Sequence, residues 1–414
     1  MQLLPSQNKI NFLSILPLFM VILLDVAGLI LVMPVLTPLI LSPSSAIVPI
    51  DTPLLMRDFL YGFSLALFPL FMFFSTPILG DLSDKFGRKK ILLICLLGSG
   101  LSYLVAGVGV LYNSLIVLLV SRAMAGLAAG TQPIATAAII DASSANNKTR
   151  NLAWVVFTSS IGLILGPAIG GITAEKSIVS WFGYETPFFF ASGLSLLNAV
   201  LLFFTLKELA PVKTVHVIRY TKGFYLFIAA FAEKKFRILS LLNFCFILAW
   251  SLYYQTINWF FMVNYHYSVG KLGLFVAYIG LIFAFTTAVV ARIILKIFTS
   301  EAQAFTFFIF TMAIANIGAA MSHGELAQWL WVILNAMSDV ICYTVSLSMF
   351  SNLANHESQG WIMGVTGAIA AITWTVGGLI AGPLGYINIH VPLWTAGGLC
   401  LVSFLLMLVY RRSH

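Results

Sequence analysis

Long apolar runs separated by short polar links repeat along the chain. Twelve are long enough to cross a bilayer, at 10–41, 59–79, 91–111, 114–142, 151–175, 187–207, 238–264, 271–297, 303–322, 328–353, 359–385 and 388–410. Roughly 20 apolar residues suffice for a spanning helix. The last two runs come from dividing a charge-free stretch between Ser358 and Tyr410. "GPLGYINIHVP" supplies the division, because Gly, Pro, Asn and His end a lipid-facing helix. The first run is too long for the apolar part of a cleaved signal peptide, and no small-residue cleavage site follows it. The pattern predicts an all-α membrane protein with twelve transmembrane helices.

An even number of spans puts both ends of the chain on one side. Of 22 Lys and Arg residues, 18 fall in links on that side, three (Arg57, Lys176 and Lys271) fall on the other, and Arg122 lies inside a span. Basic residues mark the cytoplasmic side, so both termini are expected to be cytoplasmic. Composition agrees: 60% of residues are hydrophobic and 9% are charged, whereas a soluble domain carries roughly 25% charge. The net charge of +8 is therefore read as topogenic, and no nucleic-acid partner is expected.

The longest basic-side link, 208–237, contains "GFYLFIAAFA", too short to cross a bilayer and flanked by Lys222, Lys234, Lys235 and Arg237. It reads as a surface-lying amphipathic segment. It divides the chain into 1–207 and 238–414, six spans each. "GLILGPAIGG" in span five and "GLIAGPLG" in span eleven share a GLI-x-GP core at matched places in the two halves. Duplicated six-helix halves are one way in which secondary transporters are built.

The densest charge is "GDLSDKFGRKK" at 80–90, between spans two and three. Gly80 and Gly87 allow a tight turn there, and Asp84 and Arg88 are four apart. The order Gly80, Leu82, Ser83, Asp84, Lys85, Gly87, Arg88, Lys89 resembles the signature of the major facilitator superfamily. Other stretches resemble the same family. "LLVSRAMAGLAAG" in span four is similar to its Arg-containing motif (Leu118, Arg122, Gly126, Gly130), with Ala125 where Gln is common. "GLILGPAIGG" is similar to the motif of its proton-coupled drug antiporters, in which Gly162, Gly166, Pro167, Gly170 and Gly171 let a helix bend and neighbours approach. "LLDVAGLILVMPVLTPLIL" resembles the first helix of bacterial tetracycline exporters, through Asp25, Gly28, Met33 and Pro34. The matching place in the second half, "RIILKIFTSEAQ", lacks the signature. The resemblance implies two pseudo-symmetric six-helix bundles around a central cavity. It also implies a conformational latch of Gly80, Asp84, Gly87, Arg88 and Asp141. There Arg88 bridges Asp84 and Asp141, and Asp84 sits by the start of helix eleven near Gln359 and Gly360, favouring the outward-open form.

A charge at mid-bilayer costs about 2.5–3.5 kcal/mol on the mild insertion scale. Asp25, Arg122, Asp141 and Asp339 are the charges without an evident route to solvent. Asp25 and Arg122 fall at similar depth. They form either a proton site, with Arg122 tuning Asp25, or a static ion pair; buried pairs rarely add net stability, which favours the proton site. Asp339 is a second proton carrier, a ligand for a cationic substrate, or a carboxylate facing a wet cavity. Gln132, and Tyr254, Gln255, Asn258 and Trp259 of "YYQTINWFF", are candidate substrate contacts; the aromatic members also fit an interfacial belt.

The four cysteines lie in apolar spans without paired spacing. The sequence has no His/Cys cluster and no phosphate-binding glycine loop, so neither metal, cofactor nor nucleotide is expected. A non-transporting receptor or membrane enzyme finds no support. The expected function is proton-coupled antiport by a monomer of the bacterial inner membrane, exporting a small amphipathic or cationic organic compound. The alternative is proton-coupled transport of a specific metabolite such as a siderophore or nutrient.

Overall fold

A computed structural model describes residues 12–143, 147–206, 208, 221–353 and 359–413. Among them, twelve helices are long and apolar enough to cross a membrane. They are α1 (Leu16–Leu41), α2 (Leu54–Phe86), α3 (Arg88–Leu111), α4 (Leu115–Asp141), α5 (Arg150–Thr173), α6 (Thr186–Thr205), α7 (Lys234–Tyr265), α8 (Val269–Ile294), α9 (Glu301–Met321), α10 (Glu325–Asn352), α11 (Trp361–Ile387) and α12 (Val391–Arg412). A shorter linker helix, Lys222–Ala232, precedes α7. Helices suit this setting because lipid offers backbone groups no hydrogen-bond partners. α1–α6 form one bundle and α7–α12 the other.

Within the N-terminal bundle, α4 is broken between Leu127 and Thr131. Hydroxyls of α2 reach the carbonyls at this break. Ser75 donates to the Gly126 carbonyl (2.7 Å) and Thr76 to that of Ala129 (2.9 Å). α1 is interrupted at Val32, one residue before the Met33-Pro34 start of its second segment.

The bundles meet along two helix pairs, α2 with α11 and α5 with α8. In both pairs the closest approach lies in the half farther from Lys85–Lys90, the basic end. A Cβ on Gly62 would stand 2.3 Å from the Gly378 carbonyl oxygen, and one on Gly382 2.1 Å from that of Asp58. A Cβ on Gly273 would stand 2.4 Å from the Pro167 carbonyl oxygen. Only glycine allows backbones this close. Above this contact Tyr61 donates to the Gln255 carbonyl (2.7 Å) and packs edge-on against Trp259, with ring centroids 5.8 Å apart. The end opposite the basic one is closed.

Two sequence expectations change. The charged stretch 80–90 is not a loop: α2 continues through Gly80 to Phe86, and the turn is the single residue Gly87, at φ +106°. Beyond the apolar core a helix can continue where its charges face water or partners, so hydropathy alone ended it too early. The same helix starts at Leu54, not 59, with Pro53 as its cap. That brings Arg57 and Asp58, 4% and 2% exposed, into the packed interior. Arg57 donates to the carbonyls of Ile40 (3.2 Å), Ser42 (2.8 Å), Val48 (3.3 Å) and Pro49 (3.0 Å), tying the α1–α2 link to the helix.

Replacing Gly62 by Val should prise α2 from α11 at the closed end, at an overpacking cost of about 1–3 kcal/mol. A cysteine at Thr37, which is buried beside Tyr61, should then label with a membrane-impermeant maleimide roughly 5-fold faster or more. An unchanged rate would mean that this contact does not hold the end shut.

Candidate functional site

Between the bundles lies a cavity of about 780 Å³ that runs from Asp25 to the basic end. Its N-terminal wall includes Asp25 on α1, Phe68 and Thr76 on α2, Tyr103 on α3, and Ala129 and Gln132 at the break in α4. Its other wall is α11, from Trp361 to Ala371. Lys222 and Leu226 of the linker helix and Asp81 and Asp84 of α2 also line it. A broken helix lining a cavity is the usual place for irregular backbone at membrane depth.

Asp25 is half-buried on this wall and Gln132 is exposed to it. Arg122 is 3% exposed and lies behind Phe68, its guanidinium 5.4 Å from the ring centroid. Its Nε and Nη2 have no hydrogen-bond partner. Among the described residues, no ion pair within 4.0 Å includes Asp25, Arg122 or Asp339. The static Asp25–Arg122 pair is thus not formed. Asp339 is buried in α10 and is not on the cavity wall.

The other candidate contacts also lie off this wall. Tyr254 packs between Trp250 and Trp374, with ring centroids 5.7 and 5.8 Å away. The Gln255 amide donates to Ser251 Oγ (2.5 Å) and to the Trp374 carbonyl (3.2 Å). Asn258 is buried with Oδ1 unpartnered, and Trp259 belongs to the closed seam. The structure thus brings Asp25 and Gln132 together and leaves this group above the cavity roof.

At the basic end Arg88, the first residue after Gly87, lies 2.6 Å from Asp84 and 3.1 Å from Asp141. The second bundle has a different solution at the matching place. Glu301, the first residue of α9, accepts hydrogen bonds from Ser348 and Asn352 of α10. A carboxylate with neutral donors stands where the first bundle has an arginine with two carboxylates. Gln359 and Gly360 lie at the start of a described helix, but their side-chain surroundings are outside the described residues. Gly80 lies on the cavity wall, with nothing within 4 Å of where its Cβ would be. The glycines of span five face α1 and α8. Cβ atoms on Gly162, Gly166 and Gly170 would stand 2.8, 2.4 and 2.2 Å from the carbonyl oxygens of Leu23, Ala27 and Leu31. One on Gly171 would stand 2.8 Å from that of Val269.

Sequence reasoning missed several contacts. Asp81 is paired with Lys222 of the linker helix (2.7 Å). Asp81 and Asp84 are three apart, hence on one face once the helix is extended. Glu208 accepts from the Lys89 backbone N–H (3.0 Å), a carboxylate at the start of α3. At the closed end Glu175 accepts from the Gly270 N–H (3.2 Å) at the start of α8, across the two bundles. Near it Tyr267 donates to Glu325. Burial pushes the Tyr267 hydroxyl up to about 12, and the Glu325 carboxylate adds to the rise. It therefore stays a neutral donor.

The fold and this cavity define a multi-pass membrane transporter of the two-bundle type. The chain belongs to the Major Facilitator Superfamily, whose family model matches residues 15–370. It is similar to the tetracycline resistance protein, class H, of Pasteurella multocida, 28% identical over 89% of this chain and 88% of that protein. It is also similar to multidrug resistance protein 2 of Bacillus subtilis (strain 168), 26% identical over 85% of this chain and 86% of that one. Among solved structures it matches a D-xylose-proton symporter (TM-score 0.75, 15% identity, covering 96% of this chain and 97% of that one). It also matches the human organic anion transporter MFSD10 (TM-score 0.70, 20% identity, covering 98% and 100%). At such identities these two speak for the fold alone.

A carboxylate at a helix N-terminus contributes about 0.3–1 kcal/mol. Glu175→Gln should therefore weaken the closed end and raise the population open there roughly 2- to 5-fold. Spin labels across that end, measured by double electron–electron resonance, would report it. A distribution identical to wild type would remove Glu175 from the closing contacts.

Proposed function

We propose that this protein is a proton-coupled antiporter that exports a small amphipathic or cationic organic compound. The observation that carries the reading is Asp25, a carboxylate on the wall of the inter-bundle cavity with no cation paired to it among the described residues. An intramembrane carboxylate facing a cavity is suited to taking and releasing a proton or pairing with a cation. A charge left without a partner in a poorly polar site favours its neutral form, so bringing in a cation and losing a proton are competing events at one group. That competition is the elementary step of antiport.

Arg122 acts as a fixed positive charge behind Phe68, keeping the local field ready for an ionised Asp25. Asp339 is a second titrating group inside the other bundle, and Tyr254, Gln255, Asn258 and Trp259 meet substrate when the cavity opens at the opposite end. Arg88, with Asp84 and Asp141, sets the balance between the open forms. The named relatives, tetracycline and multidrug resistance proteins matched over most of their length, support a drug-like substrate and an outward direction. In this reading the basic end is cytoplasmic, with both termini, and the membrane is the bacterial inner membrane. The working unit is a monomer built of residues 1–207, a linker 208–237 and residues 238–414.

The test is proton movement in proteoliposomes on addition of candidate compounds, comparing wild type with Asp25→Asn. Proton flux in wild type that falls at least tenfold in Asp25→Asn is expected. Equal flux in both would move the coupling to Asp339. Substrate movement in wild type without any proton flux would overturn antiport in favour of a uniporter.

A further inference from the structure

The linker helix does more than join the bundles: it stands in the crevice between them. At the closed end α2 and α11 touch backbone to backbone through Gly62, Gly378 and Gly382. Toward the basic end the same two helices diverge, and the linker helix fills the gap. Gly223 abuts the Phe73 carbonyl of α2, a Cβ there falling 2.7 Å from the oxygen. Leu226 is 4% exposed and clusters with Phe73. Its other side reaches α11, where a Cβ on Gly364 would stand 3.0 Å from Leu226 Cδ1. Phe224 continues the contact, its ring centroid 5.6 Å from that of Phe73. This seating fixes the residue before Gly223, which is Lys222.

Lys222 is consequently a cation held at the mouth of the cavity. Its Nζ lies 2.7 Å from Asp81 Oδ1. Among the described residues lining the cavity, the charged ones are Asp25, Asp81, Asp84 and Lys222. Asp84 is engaged by Arg88. Asp81, with its side chain 11% exposed, is the mouth carboxylate whose partner is tethered on a separate element. A pair partly in water is worth little to stability, about 0–1 kcal/mol. What it changes is the field that a charged compound meets on its way to Asp25.

We propose that Lys222 is a specificity-determining residue: a tethered ammonium that neutralises Asp81 and so limits how strongly the cavity mouth attracts cationic compounds. An organic cation approaching Asp25 must compete with Lys222 for Asp81 or pass a locally neutral mouth. Removing the ammonium leaves Asp81 uncompensated and turns the mouth into a cation-attracting one. This rests on the cation-accepting reading of the cavity given above, but not on proton coupling.

The experiment measures tetraphenylphosphonium binding to the purified full-length protein at low and high salt. It compares wild type with Lys222→Gln, Lys222→Arg, Asp81→Asn and the double variant Asp81→Asn/Lys222→Gln. Each is first checked for an unchanged gel-filtration profile. Lys222→Gln is expected to bind the cation roughly 3- to 10-fold more tightly at low salt, with the gain shrinking at high salt because an exposed charge is screened within about 10 Å at 0.1 M. Lys222→Arg should match wild type, and adding Asp81→Asn should cancel the gain. A purely structural linker contact predicts the opposite pattern: weaker binding in Lys222→Gln, independent of salt and not restored in the double variant. That result overturns the proposal, and so does equal affinity in wild type and Lys222→Gln. So does a lack of binding by every variant, because freeing Asp81 must admit the probe. If Lys222→Gln does not fold, the swapped pair Asp81→Lys/Lys222→Asp replaces it. Binding at wild-type strength in the swap supports a mouth neutralised by the pair, and loss overturns it. Failure of the coupling reading is seen separately, in proton flux with Asp25→Asn.

Discussion

Direct backbone contact between helices of opposite bundles governs the rest of this molecule. In lipid there is no hydrophobic force between apolar helices, so association depends on close packing and on small residues that permit it. The α2–α11 and α5–α8 pairs obtain that packing from Gly62, Gly378, Gly382, Gly171 and Gly273. All of these lie toward one end of the membrane. Two rigid bundles joined near one end must diverge toward the other, and the cavity that reaches Asp25 follows from that divergence. The cavity therefore reaches the basic end, and the glycine contacts close the other.

Charge is then distributed according to where water and partners are available. At the basic end Arg88, Asp84 and Asp141 form a partly exposed network, and Glu208 and Lys222 tie the linker to the same region. At the closed end Arg57 is buried but spends its guanidinium on four carbonyls, one in the last turn of α1 and three in the α1–α2 link. In the middle the pattern differs: Asp25 and Arg122 share a bundle without pairing, Asp25 on the cavity wall and Arg122 against the Phe68 ring. An ion pair there would favour the ionised carboxylate.

Much of this was legible in the residues. Twelve spans and their division into two halves follow from hydropathy and from the positions of Lys and Arg, because a charge at mid-bilayer is costly. The Asp84–Arg88 pair is suggested by the four-residue spacing, although the turn at Gly87, and not one continuous helix, brings the two together. What failed to follow had local causes. Hydropathy ended α2 at 79 because residues 80–86 are polar, although the helix continues to Phe86 and so carries Asp81 and Asp84 on one face. It began α2 late for the same reason, which hid Asp58 and Arg57; Pro53 before an apolar run was the available signal. Membership of the cavity wall was not legible for α7. "YYQTINWFF" has the composition of a binding face, yet in this access state the seam between bundles uses it for closure. Only the relative tilt of the bundles decides that, and tilt is not written in any single segment.

The two ends of the molecule are held by different chemistry. The closed end uses glycine contacts, the Tyr61 hydroxyl and the Glu175 carboxylate on the start of α8, all short-range and indifferent to what is in the cavity. The open end is spanned by the linker helix, whose Leu226 fills the space that α2 and α11 would have to share on closing. Leu226, packed against Phe73, and the Lys222–Asp81 pair hold the linker helix in this crevice. The linker, a segment that belongs to neither bundle, is in this way packed against both α2 and α11.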